Sequence, residues 1–195
     1  MAGHPRYTAL LDACVLYPIA VCDALMSVAG TGIYAARWTA RIDDEWTRNL
    51  AQQRGVPQGS FDTRRDAMHD ACPDWEVPAE AWQPLEPCIE GLPDPDDRHV
   101  LAAAIAGHAD CIVTVNLKDF PAAVVAPLGI EILHPDSFLV AQLDLEPLRV
   151  LPAFKAMRAR LRNPTFTPDH FAETLEAKYG LVETAHVLRQ ASELI

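Results

Sequence analysis

Apolar and polar residues are arranged along the first two thirds of the chain in short blocks that predict an α/β fold. Three apolar runs have the length of strands, at residues 7–12 (YTALLD), 111–115 (CIVTV) and 130–134 (IEILH). Residues 33–39 (IYAARWT) fit either a short strand or the start of a helix. Because helical segments separate these runs, the pattern predicts a central parallel sheet in a three-layer α/β/α arrangement.

The segments between the strands carry the helical signals. We expect helices at about 18–29, 40–54 and 61–71, a helical turn near 79–83, an alanine-rich helix after residue 97 and a short helix near 121–127. In the second of these, Ile42, Trp46 and Leu50 recur every four residues, and Gly55 supplies a C-terminal stop. HPDSFL (134–139) starts a further helix, for which Asp136 or Ser137 is the expected cap.

Beyond residue 145 the pattern changes to helices without strands. One helix precedes Asn163 and Pro164, and residues 167–190 predict two helices hinged at Gly180. Thr167 followed by Pro168 fits an N-cap and first helical position. We therefore expect residues 1–142 to form the main domain and residues 143–195 to form a C-terminal helical extension.

Composition narrows the class of protein. Half of the 195 residues are apolar, enough for a sizeable core, but no apolar run approaches the roughly 18 to 20 residues of a membrane span. The N-terminus lacks the pattern of a signal peptide, so we expect a cytoplasmic protein without membrane association. The five cysteines are scattered without C-x-x-C, and the seven histidines show no H-x-x-x-H or H-E-x-x-H, so a structural zinc site is not expected.

The overall charge argues against simple nucleic-acid binding. The chain has 27 acidic and 16 basic residues and a formal net charge of −11, whereas phosphate contacts need cations. For nucleic-acid binding, the distribution of charged residues over the protein matters more than the net charge. Basic residues cluster at 37–54 and again at 155–162, where the second group is Lys155, Arg158, Arg160 and Arg162. Each cluster is either a solvated helix face or a phosphate-binding surface.

The stretch at 93–120, PDPDDRHVLAAAIAGHADCIVTVNLKDF, contains the strongest local signal. Asp96 and Asp97 precede a helix, and Asn116 and Asp119 follow the next strand. A helix and the strand after it run in opposite directions, so the two polar turns lie side by side. The acids either hold a cation or only cap the helix N-terminus, and this stretch alone does not decide between the two.

Two acids from elsewhere favour the cation. Asp12 closes the first strand and Glu45 lies at the edge of the apolar face of its helix, so both can meet Asp97 and Asp119 at one rim of a parallel sheet. Carboxylates that converge repel each other unless a cation lies between them. Oxygen ligands without Cys or His select Mg²⁺ or Mn²⁺, whose natural chemistry here is attack of water on a phosphodiester.

The segments LLDACVLYP, IDDEW, DPDDRHVLAAAIAGHADCIVTVNLKDFP and IEILHPDSFL resemble the PIN-domain family, and within it bacterial proteins of the VapC toxin type. The resemblance covers about residues 7–140 and implies an endoribonuclease dependent on Mg²⁺ or Mn²⁺ that leaves 3′-hydroxyl and 5′-phosphate ends. It also implies a small antitoxin partner and a homodimer, and it says nothing of the C-terminal extension.

The resemblance assigns the catalytic and metal-binding roles residue by residue. Asp12 matches the acid that closes the first strand in the family, and Glu45 matches the glutamate on its helix. Asp97 matches the acid before the alanine-rich helix, and Asp119 matches the acid of the motif T-x-N-x-x-D-F. Supporting positions are Asp96 (the rival of Asp97), Thr114, which holds the turn, and Asn116, where many relatives have aspartate. Proximity to these acids makes five residues candidates for RNA-phosphate contacts: Arg37, Arg41, Arg48, Arg98 and Lys118.

Two other functions remain open at the level of sequence. A PIN fold retained as an RNA- or protein-binding module with weak catalysis would suit Asn116 and the acidic composition. A phosphatase with Asp12 as nucleophile fits less well, because such enzymes carry a second aspartate two residues on, where this chain has Cys14.

Overall fold

Four parallel strands form the central sheet of the computed structural model, which describes residues 6–195. The strands are Tyr7–Leu11 (β1), Tyr34–Arg37 (β2), Cys111–Val113 (β3) and Glu131–Leu133 (β4). Their order across the sheet is β2-β1-β3-β4, and each neighbouring pair is parallel. The predicted parallel sheet is confirmed, and residues 34–37 form a strand.

Helices connect the strands and make up the rest of the described chain, consistent with the predicted three-layer α/β/α fold. They are Ala13–Leu16 (α1), Ile19–Ala29 (α2), Ala40–Arg54 (α3), Asp62–Ala71 (α4), Ala79–Trp82 (α5), Arg98–Ala106 (α6), Ala122–Val125 (α7), Pro135–Leu145 (α8), Pro147–Arg160 (α9), Pro168–Tyr179 (α10) and Val182–Gln190 (α11). Short 3-10 turns lie at Gln58–Phe61, Glu86–Cys88, Pro95–Asp97, Leu117–Asp119 and Ala126–Leu128.

Three helix ends follow the predicted cap chemistry, at Gly55, Thr167 and Gly180, and Thr39 is an N-cap that was not predicted. The Thr39 hydroxyl accepts a hydrogen bond from Ile42 N at 3.1 Å at the start of α3, which ends at Gly55 with φ 64°. Thr167 likewise accepts from His170 N, and Gly180 closes α10 at φ 69°. Glycine suits both ends because a left-handed backbone costs it little.

The predicted cap of α8 is wrong. His134 is the N-cap residue, and its Nδ1 accepts a hydrogen bond from Asp136 N at 3.3 Å. Asp136 lies within the first turn and is 7% exposed, and its carboxylate accepts bonds from Glu183 N and Thr184 N, both at 2.9 Å. Asp136 therefore caps the start of α11, a long-range contact that local sequence does not reveal.

The apolar core is continuous from the sheet into the C-terminal helices. Leu10 and Leu11 of β1 are fully buried, and the Tyr34 ring meets Phe138 of α8 edge-on at 4.8 Å between centroids. The helices α8 and α11 pack together, and α2 packs against α9 and α10. The division between residues 142 and 143, which falls inside α8, stays a prediction.

None of the helices within residues 6–195 is both long enough and apolar enough to cross a membrane.

Candidate active site

The predicted site lies at the carboxyl end of the two central strands. Asp12 follows β1 directly, and its backbone N–H donates to Val113 O of β3 at 3.2 Å. The register pairs Leu11 with Val113, which brings the residues after each strand side by side. Asp12 and Thr114 are thus neighbours in space although they lie 102 residues apart.

Two side chains fix the geometry around Asp12, which is 7% exposed. The Thr114 hydroxyl donates to Asp12 Oδ2 at 2.7 Å, and the Cys14 thiol donates to the same oxygen at 3.0 Å. Burial, with the charge of Asp12, raises the pKa of Cys14 to about 12, so the thiol stays protonated and remains a donor. Thr114 Oγ1 also accepts a hydrogen bond from Asn116 N at 3.0 Å, which ties Thr114 to the turn that follows it.

Asp97 is brought to this rim by the turn before α6. Asp94 caps that turn by accepting a hydrogen bond from Asp96 N at 2.9 Å. Burial raises the pKa of Asp97 to about 6, and the nearby charges of Asp12, Asp119 and Asp94 add to the effect. Because like charges raise the pKa of a carboxyl only at close range, Asp12, Asp97 and Asp119 share one electrostatic environment.

Glu45 has different neighbours. Its Oε1 lies 3.1 Å from Nε2 of the buried His99 and 3.2 Å from Nε of Arg41. Burial alone would raise its pKa, but the hydrogen bond from His99 and the charges of His99 and Arg41 leave that pKa below its usual value. Glu45 is therefore ionised and already balanced by basic groups.

The predicted phosphate-binding residues fall into two groups. In the first group, Arg41 forms ion pairs with Glu45 and, at 2.9 Å, with Glu86, and Arg48 forms an ion pair with Asp44 at 2.8 Å. Arg37, Arg98 and Lys118 form no ion pair within residues 6–195. These last three keep their charge available, and their contact with RNA stays a prediction.

The donor set suits a hard divalent cation. Asp12, Asp97 and Asp119 offer only oxygen ligands. Burial is the main cause of the raised pKa of Asp97, and repulsion by Asp12 and Asp119 adds to it; a cation between the three acids would relieve that repulsion. In the described part of the chain, however, no three His, Cys, Asp or Glu side chains lie close enough together to hold a metal ion. The chemistry of the site therefore fits Mg²⁺ or Mn²⁺, and the side chains do not stand in ligating positions.

Sequence reasoning missed two residues of the site, Cys14 and His99. Cys14 was not among the predicted site residues, although its place two residues after Asp12 is a usable signal. His99 is 2% exposed, and its Nδ1 has no hydrogen-bond partner within residues 6–195. Its contact with Glu45 spans α6 and α3 and has no signature in the local sequence. Asp96, the proposed rival of Asp97, is exposed in the turn.

Comparisons with known proteins give the family. Residues 8–118 match the model described as PIN domain, and residues 135–190 match the model described as VapC50 C-terminal domain. A curated protein of Mycobacterium tuberculosis (strain ATCC 25618 / H37Rv), named "Putative ribonuclease VapC50", is 44% identical over 79 residues. That alignment covers 40% of this chain and 47% of the relative, so the chain spans about half the length of the curated relative it matches. No solved structure matches the chain at a significant level.

Proposed function

We propose that this chain, which belongs to the PIN-domain family, is a Mg²⁺- or Mn²⁺-dependent endoribonuclease that hydrolyses RNA phosphodiester bonds. The observation that carries the proposal is the rim at the carboxyl ends of β1 and β3, where Thr114 holds Asp12 at 2.7 Å and the charges of Asp12 and Asp119 add to burial in raising the pKa of Asp97. A half-buried carboxyl placed against two others costs stability unless a ligand uses it. The match to a protein named as a ribonuclease supports the same activity.

In this proposal Asp12, Asp97 and Asp119 hold the cation. A bound Mg²⁺ or Mn²⁺ supplies an activated water and stabilises the charge on the leaving oxygen. Thr114 and Cys14 keep Asp12 Oδ2 oriented through the hydrogen bonds at 2.7 and 3.0 Å. The other carboxylate oxygen, Oδ1, accepts no hydrogen bond within residues 6–195 and is the one that faces the ligand.

Glu45 and its basic neighbours complete the acidic rim. Glu45 is kept ionised by His99 and Arg41, and we assign it to the site as the helix glutamate of the family. Arg37, Arg98 and Lys118 hold phosphates of the substrate, and Asn116 orients water with its amide. Hydrolysis leaves 3′-hydroxyl and 5′-phosphate ends.

The biological setting forms a separate part of the proposal. We assign the chain as the toxin of a type II toxin–antitoxin pair, inhibited by a small antitoxin and acting in the cytoplasm as a homodimer. Residues 1–142 carry the nuclease and residues 143–195 are the extension. The similarity to a protein named VapC50 and the match of residues 135–190 to its C-terminal domain support this assignment.

An RNA cleavage assay tests the activity. The full chain should cut single-stranded RNA in Mg²⁺ or Mn²⁺ and be inactive in EDTA, and Asp12→Asn and Asp97→Asn should abolish cleavage while remaining folded. Asp110→Asn is a matched control, since this exposed acid lies at the opposite end of β3 and accepts a hydrogen bond from Thr8 N. Full cleavage by folded Asp12→Asn would overturn the proposal.

A second candidate is a PIN fold that binds RNA or protein with weak catalysis. The pairing of Glu45 with His99 and Arg41 favours this second candidate, because the pairing leaves one acid fewer to hold a cation. Asn116 favours it as well, since an asparagine lacks the charge of an aspartate. Binding of RNA without metal-dependent cleavage would establish this alternative.

A further inference from the structure

A groove between the PIN core and the C-terminal helices begins beside the proposed catalytic acid. Its volume is about 520 Å³, and its lining includes Cys14 and Val115 on one side and Lys178 and Tyr179 of α10 on the other. Cys14 Sγ lies 3.0 Å from Asp12 Oδ2, and Val115 N donates to that sulfur at 3.3 Å. The groove is therefore adjacent to Asp12, with the Cys14 side chain between them.

The charge of this groove is opposite to that of the chain. Arg54 and Lys178 line it and no carboxylate does, although acids outnumber bases by 27 to 16 in the whole sequence. Both side chains are exposed, and neither forms an ion pair with any acid of residues 6–195. A local pair of cations in an acidic protein gives a site that attracts a polyanion.

The remaining walls suit nucleobases. Tyr17 and Tyr179 are both half-buried in the groove, and Val115 is 46% exposed. Tyr17 is held in place by a hydrogen bond from its hydroxyl to Gln53. Aromatic faces beside cations are the usual means of binding single-stranded nucleic acid without reading its sequence, and the volume is within the range of ~300–1,000 Å³ that holds a nucleotide-sized group.

We propose that this groove binds the single-stranded RNA that flanks the bond to be cut, and that the C-terminal helices supply part of it through Lys178 and Tyr179. The inference rests on the proposed ribonuclease activity and gives residues 143–195 a role in substrate binding. Arg54 and Lys178 contact phosphates, and Tyr17 and Tyr179 stack on bases. Neither cation touches the acids that hold the metal.

The test measures RNA affinity separately from cleavage. The probe is a fluorescein-labelled, single-stranded RNA of about 12 nucleotides, titrated with the full chain in EDTA, in which the proposed metal-dependent cleavage does not occur, at several salt concentrations. The double variant Arg54→Gln/Lys178→Gln should bind about tenfold more weakly. The slope of log affinity against log salt should fall by about 0.7 for each lost phosphate contact. Lys155→Gln, an exposed lysine of α9 outside the groove, is the matched control and should bind like the unmodified chain.

A crosslinking readout locates the strand directly. RNA of the same length that carries 4-thiouridine should crosslink to Tyr17 or Tyr179 on irradiation, with the sites identified by mass spectrometry, and the double variant should lose these crosslinks. Unchanged affinity and salt slope in the folded double variant would overturn the inference and leave a protein as the groove's occupant.

The two proposals fail in different ways. If the double variant binds RNA normally while Asp12→Asn abolishes cleavage, the groove inference is wrong and the proposed nuclease activity is supported. If the unmodified chain binds RNA through Arg54 and Lys178 but cleaves none, the proposed nuclease activity is wrong and the groove inference is supported. Absence of any RNA binding by the unmodified chain overturns the groove inference.

Discussion

Thr114 Oγ1 donates a 2.7 Å hydrogen bond to Asp12 Oδ2 from the neighbouring strand end. This contact joins the two halves of the site, because Asp12 comes from the first strand and Thr114 from the central motif. Thr114 is fully buried, so its hydroxyl has no water to replace the bond. The pair fixes Oδ2 of Asp12, whereas Oδ1 accepts no side-chain hydrogen bond within residues 6–195.

Thr114→Val should therefore lower cleavage without unfolding the protein. The variant keeps the shape of the side chain but removes one of the two hydrogen bonds to Asp12 Oδ2 and leaves Asn116 N without its partner, which costs about 1–3 kcal/mol of stability. We expect kcat to fall by on the order of ten- to a hundredfold, since misplacement by ~1 Å is enough for such a loss, with KM for RNA nearly unchanged. Thr114→Ser keeps the hydroxyl and should restore most of kcat. Equal kcat in Thr114→Val and the unmodified chain would contradict the positioning role.

Asp97→Asn should stabilise the metal-free protein while abolishing cleavage. The pKa of Asp97 is about 6 in the folded state against a usual value of 3.8, so the folded state holds its proton more tightly. The stability that protonated Asp97 contributes to the folded state is thus lost as the pH rises from about 4 to 6. Asparagine does not ionise, so the Asp97→Asn variant does not lose stability in this way. In EDTA we expect it to be more stable at pH 8 by about 1 kcal/mol, allowing for solvent screening of a half-buried carboxyl.

Urea unfolding at a series of pH values checks this expectation. The difference in unfolding free energy between Asp97→Asn and the unmodified chain should shrink as the pH is lowered from 8 to 4.5. A pH-independent difference, or a variant less stable at pH 8, would show that Asp97 does not experience the charges of Asp12 and Asp119.

Asp136→Ala should destabilise the C-terminal helices. Its buried carboxylate accepts hydrogen bonds from Glu183 N and Thr184 N, and loss of a charged cap that leaves buried donors without partners costs about 2 kcal/mol. Ser137→Ala is the control, because Ser137 is exposed and was the rival candidate for the cap of α8. Thermal unfolding should show a lower Tm for the first variant only; an equal Tm for both would remove Asp136 from the attachment of α11.

The sequence predicted the elements better than it predicted the contacts of the site. Strands and helices follow from local periodicity and caps, and Gly55, Thr167 and Gly180 lie where the pattern placed them. The contacts of Asp136 and Glu45 could not be predicted in this way. Each joins residues about 50 apart on different helices, and neither partner carries a local signal for the other.

The acidic rim shows the same limit. Parallel strands end at one edge, so the neighbourhood of Asp12 and Asp119 could be inferred from topology. Topology could not predict which acid is balanced by a basic group. The side chain of His99 reaches Glu45 only after α6 has packed against the core. The roles of all four acids as metal ligands stay predictions.

Titration with Mn²⁺ tests the central claim most directly. Free Mn²⁺, followed by electron paramagnetic resonance, should fall as the full chain is added, and Asp12→Asn, Asp97→Asn and Asp119→Asn should each weaken binding at least tenfold, since each removes one charged ligand. Asp110→Asn should bind like the unmodified chain. Mn²⁺ binding that is absent from the unmodified chain, or unchanged in the folded Asp12→Asn and Asp97→Asn variants, would contradict a metal-dependent nuclease at this rim.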